Sequence, residues 1–139
     1  MIPLNLLLIA WIWFGRLFVG VGGWFLLIFM LTIVPAALVM LLITTILAFT
    51  QPGSPKALTT PQRNVQWGLW AAMFGFGLFC PDFGDAPGSD VSLLTNVFGR
   101  SDGLMSLSET LTWLFLLASV VLWAVLLGLL TGGRRRSAQ

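Results

Sequence analysis

WFLLIFMLTIVPAALVMLLITTILAF, from Trp24 to Phe49, holds no Asp, Glu, Lys or Arg. As a helix it would run roughly 39 Å at about 1.5 Å per residue, longer than a hydrocarbon core of about 30 Å. Tilt or a bend must absorb the excess. Pro35, near the middle, supplies a bend because its ring removes a backbone hydrogen bond to the preceding turn. Thr32 is the candidate partner for the carbonyl so freed, since no water can serve it in lipid.

The same reading extends outward. Residues 64–80 and 109–131 form two further apolar segments, and Ile2 to Val19 is apolar apart from Asn5 and Arg16. Hydrophobic residues make up 58% of the chain and charged ones 9%, against roughly a quarter charged in a soluble domain. Such a chain cannot cover itself with polar groups, so lipid is the expected solvent. The expected fold is an all-α integral membrane protein with three to four transmembrane helices, four being favoured, in one membrane domain over residues 1–139. With four crossings, Gly20, Gly22 and Gly23 turn a helical hairpin and Arg16 snorkels to the nearby surface. With three, the first segment (2–19) lies in the plane of the membrane.

The charges sort by sign between these segments. Lys56 and Arg63 lie in or beside the connector 50–63, and Arg134, Arg135 and Arg136 lie in the tail 132–139. Short connectors bearing Lys and Arg stay cytoplasmic, so both are expected inside, with the C-terminus, at the cytoplasmic membrane. The connector 81–108 then faces outward, with four Asp against Arg100. Local signals sharpen the boundaries. Thr59-x-x-Gln62 with Pro61 reads as a capping box opening the helix that Pro81 ends, and Ser106-x-x-Glu109 as another. Gly132-Gly133 reads as the stop of the last helix. Asp90 is the expected cap of a short amphipathic helix from Val91 to Phe98, stopped by Gly99, lying on the outer membrane surface.

Little chemistry is on offer. His and Tyr are absent and Cys80 is the one cysteine, which removes the commonest general base and any cysteine-built metal site or internal disulfide. The net charge of +2 gives no basis for nucleic-acid binding. No catalytic residue, cofactor or metal centre is expected. Asp82, Asp85 and Asp90 are the residues a hard cation would contact in the outer loop, but their spacing is not that of an EF-hand and the bidentate Glu is missing. No segment carries a charge near its centre, which counts against an autonomous ion-coupled transporter.

Small residues are the more telling pattern. Gly68-x-x-x-Ala72 and Ala71-x-x-x-Gly75 line the 64–80 segment, and Ala124-x-x-x-Gly128 the last one. Such spacing lets helix backbones approach closely, within one chain or between chains. Phe74, Phe76 and Phe79 are then expected to face lipid or a partner. The leading functional expectation is a non-enzymatic accessory or assembly component of a membrane complex, with the bilayer and other membrane subunits, or itself, as partners. A homo-oligomeric pore or holin-like protein is the first alternative. A minimal transporter or membrane enzyme using the outer Asp cluster is the second.

Overall fold

The computed structural model describes residues 1–51, 58–83 and 89–137, with backbone alone for 133–137. Among these residues the chain is all-helical and has no strand. Helix α1 covers Ile2–Phe18, with a wide π-type turn at Trp11–Gly15. It ends in a Schellman motif: Val21 N–H donates to Arg16 O (3.0 Å) and Gly20 N–H to Leu17 O (3.1 Å). Gly20 sits at φ +73°, a conformation that a side chain would strain. The chain then reverses into α2, Phe25–Leu31.

Helix α3 (Ile33–Phe49) continues α2 after a bend of 40° at Thr32. The bend precedes Pro35 because a proline ring crowds the carbonyl four residues earlier, here that of Leu31. Thr32 does not serve that freed carbonyl. Its N–H and hydroxyl both donate to Ile28 O, at 3.0 and 2.6 Å.

Helix α4, Thr60–Phe79, opens with Gln62 Oε1 accepting the Thr59 N–H at 3.0 Å. Helix α5, Leu93–Phe98, is capped by Ser92 and not by Asp90. The Ser92 hydroxyl accepts from Thr95 N–H and the Thr95 hydroxyl from Ser92 N–H, a reciprocal box that Asp90 stands too far back to make. Gly99, at φ +92°, ends it. Helix α6 is a single rod, Asp102–Ser137. Ser106 does not start it, because Ser101 O already accepts the Met105 N–H. Nor do Gly132 and Gly133 stop it; glycine costs a helix only about 1 kcal/mol per residue when the ladder is otherwise intact.

Helices α1 and α4 run parallel, with Asn5 level with Trp70 and Trp11 with Phe74. Helices α3 and α6 run the other way, joined by Trp123 to Met40 and Gln51 to Leu130. The result is an up-down bundle around Leu8, Ile12, Leu41, Leu69, Phe76 and Leu126. Phe76 therefore points inward and stacks on Phe29, and Phe79 stacks on Phe115; of the three phenylalanines expected outside, Phe74 alone is exposed.

Among the described residues, α6 is the one helix long and apolar enough by itself to cross a membrane. The bent pair α2–α3 qualifies if taken as one span. Helix α1 is shorter, and α4 does not qualify despite its twenty residues, its first two turns carrying Gln62, Arg63, Asn64 and Gln66.

Close approach at α4 occurs on two faces, at Gly75 toward α6 and at Gly77 toward α1. A Cβ on Gly75 would stand 2.6 Å from the Phe115 ring, and one on Gly77 2.9 Å from Trp11, whereas Gly128 has open space beside it. Gly75→Leu is expected to lower unfolding stability by about 1–3 kcal/mol through overpacking. Gly128→Leu is expected to stay within about 0.5 kcal/mol of the parent. Thermal unfolding of the purified chain in mild detergent checks both; equal losses would count against this placement.

Candidate functional site

Two clusters of buried polar groups occupy opposite ends of the bundle. The first centres on Arg16, which the sequence places near a surface. It does not snorkel. Its side chain is 1% exposed and faces the 2% exposed side chain of Asp82, with Nη2 3.4 Å from Oδ2. Nη2 also donates to Cys80 O (3.0 Å) and Pro81 O (2.8 Å), the carbonyls that leave the C-terminal end of α4. The guanidinium lies over the rings of Phe25 and Phe29, at 5.7 and 5.1 Å to their centroids. Its Nε and Nη1 are buried and have no hydrogen-bond partner among the described residues.

Asp82 carries a second duty. Its Oδ1 accepts the N–H of Phe25 (3.0 Å) and of Phe83 (2.9 Å), so a side chain far along the chain caps the first turn of α2. Negative charge at a helix N-terminus is favourable, because unpaired N–H groups and the helix dipole converge there. Phe83 O takes the Trp24 N–H at 3.2 Å, completing the cap. A two-bond bridge between Asp82 and Val91 fixes the backbone behind the carboxylate. Gly23 must be glycine here, since a Cβ would run into Phe83 O and Asp82.

The second cluster lies where α4 begins. Asn5 is its node, donating to Thr45 Oγ1 (3.1 Å) and accepting from Trp70 Nε1 (2.7 Å), so one amide ties α1, α3 and α4 together. Gln62 reaches Leu129 O on α6 (3.2 Å) and Gln51 reaches Leu130 O (2.8 Å). Gln66, one turn after Gln62, is 2% exposed, and neither end of its amide has a partner among the described residues. Between the two clusters the interior is filled by Leu8, Ile9, Ile12, Leu69, Met73 and Phe76.

No family model, curated protein or solved structure matches the chain. The site must therefore be read from its own chemistry. Asp82 and Asp90 border a cavity of about 360 Å³ together with Glu109 and Trp113. Asp82 is held by Arg16 and two N–H groups, while Asp90 is exposed and its carbonyl accepts from Arg100 (3.3 Å). Among the described residues no three of His, Cys, Asp and Glu are grouped to hold a metal. Asp85 and Lys56 lie outside the described residues, as do the side chains of Arg134, Arg135 and Arg136. Arg63 is exposed at the start of α4.

The small residues divide by face. Gly68 lies against Leu122 and Gly75 against Phe115, and Ala72 is buried. Ala71, Ala124 and Gly128 are exposed. What the sequence reading missed is the role of Arg16 as Asp82's partner and the Asn5–Gln62–Gln66 layer. A faint signal existed for each: one arginine inside an apolar run, and Gln62, Gln66 and Trp70 spaced by four along one helix face.

Removing one partner of a buried pair leaves an uncompensated charge, which costs about 3–5 kcal/mol. Asp82→Ala is expected to show a loss of this size in denaturant or thermal unfolding. Arg16→Met combined with Asp82→Leu is expected to recover more than half of it. Recovery is partial because the cap on α2 is lost as well. Two equal losses would mean that the pair is not what Asp82 contributes.

Proposed function

We propose that this chain is a multi-pass integral membrane protein of the cytoplasmic membrane that works by binding another membrane subunit rather than by catalysis. In this reading α1, the bent pair α2–α3, α4 and α6 are four crossings, and both termini lie inside with the basic connectors. The observation that carries it is the surface of α6: in its most apolar stretch, mean hydropathy 2.6, 11% of the residues are buried. A core helix of a water-soluble protein would hide that face. Phe18, Trp113, Leu117 and Val121 are exposed in the same way.

The exposed side of α6 also contains Ala124-x-x-x-Gly128, with empty space beside Gly128. The matching small residues of α4, Gly68 and Gly75, are already covered by Leu122 and Phe115 within the chain. Small residues favour close helix contact where no hydrophobic drive exists between helices, so the unfilled pair on α6 is the face offered to a partner. A pore through one chain is disfavoured by the large side chains that fill the bundle axis. In Asp82, Oδ1 is taken up by the N–H groups of Phe25 and Phe83, and Oδ2 faces Arg16.

Two measurements test the reading. Reporter fusions after Gln139 and within residues 84–88 are expected to report the cytoplasmic and outer sides respectively; the same side for both would refute four crossings. Purification of the tagged chain from its native membrane in mild detergent is expected to bring down a stoichiometric foreign subunit. Gly128→Leu is expected to lose that subunit while keeping the parent's thermal stability. Retention of the subunit would move the contact off α6, and a homo-oligomer alone would favour self-assembly instead.

A further inference from the structure

Beyond the Thr32 bend, α3 and α6 do not close on one another. Between them lies a slot of about 240 Å³ whose floor is Ile12, Leu69, Met73 and Phe76, all buried, and whose rim is Ala36 and Val120, both exposed. The gap has a local cause: Ala36 and Ala37 present only methyl groups where longer side chains would meet α6. One end is shut by the Trp123 Nε1 bond to Met40 O at 3.0 Å. Ser119 is the single hydroxyl in the lining, and it already donates to Phe115 O at 2.8 Å. Nothing in the slot is left to hold water, which needs two to four polar partners.

Shape narrows the occupant further. The lining runs along α3 from Ile33 to Leu41, a length of roughly 12 Å at about 1.5 Å per residue. The 240 Å³ is the room for the centre of a water-sized sphere. Spread over that length and widened by that sphere's radius of about 1.4 Å, it gives a section of roughly 50 Å², still below the roughly 80–110 Å² of a helix about 10–12 Å across. A partner helix does not fit such a section, whereas an extended hydrocarbon chain does. Met40 and Met73 line the slot with flexible, polarisable side chains that adapt to an irregular chain. The residues flanking its mouth, Val39, Leu117 and Val121, are exposed and apolar.

We propose that the slot between α3 and α6 is a binding site for one acyl chain of a membrane lipid, lying along α3 with its headgroup outside the bundle. The proposal rests on the membrane reading above and names the ligand class that this fold takes from the bilayer. The test uses the full chain in phosphatidylcholine vesicles in which some lipid carries a diazirine midway along one acyl chain. Irradiation followed by peptide mass spectrometry is expected to place label on Met73 and Phe76, which the bundle shields from bulk lipid, as well as on exposed Val39 and Leu117. Ala37→Phe, or Ser119→Phe at the opposite wall, is expected to abolish the label on Met73 and Phe76 and leave that on Val39 and Leu117 unchanged. Wild-type label confined to Val39, Leu117 and other exterior positions would overturn the slot while leaving the membrane reading intact. Release of the protein from the vesicles by alkaline carbonate would overturn the membrane reading, and the slot with it.

Discussion

A guanidinium and a carboxylate enclosed among phenylalanines set the architecture of this chain. Charges of that kind are expensive to take out of water, and mutual attraction repays the cost only with good geometry and further hydrogen bonds. Here the ion pair itself is long, at 3.4 Å, and the shorter contacts are those to the Cys80 and Pro81 carbonyls and to the Phe25 and Phe83 N–H groups. Much of the compensation therefore comes from helix ends. Arg16 neutralises the carbonyl end of α4, Asp82 the amide end of α2, and each needs the other to be tolerated where it is. Three chain segments are thereby fixed in register at one end of the bundle.

The opposite end is fixed by neutral groups. Asn5 spans α1, α3 and α4, and Gln62 and Gln51 reach the Leu129 and Leu130 carbonyls of α6. Between these ends, packing is apolar and without direction, so the two polar layers choose the pairing that greasy side chains alone would leave loose. Such hydrogen bonds contribute only about 0.5–1.5 kcal/mol net each. Their value here is in specifying one arrangement, since any slip by a turn would strand a buried amide or charge.

What the sequence makes legible is local. The all-helical class, the Thr59–Gln62 box, the glycine turn after α1 and the stop at Gly99 each depend on residues within a turn of one another. Where two local signals competed, the reading slipped: Ser92 outranks Asp90 as a cap, and Ser101 starts α6 before Ser106 can. The candidate site was far less legible. Arg16 in an apolar run reads as a side chain reaching for the surface, because its partner lies three helices further along the chain. Asp82 reads as one acid among several in a hydrophilic loop, and nothing within that loop says that it turns inward. The bend that Pro35 was expected to supply falls at Thr32, because a proline acts on the turn before it.

The distance along the chain between Arg16 and Asp82 carries a consequence for biosynthesis. Translation delivers Arg16 first, and α2, α3 and α4 must all follow before its carboxylate exists. Until then the guanidinium lacks the carboxylate that faces it in the bundle, so α1 cannot take its native place as an independent unit. Helix α1 is thus finally seated only after α4 and the segment that follows it have been made.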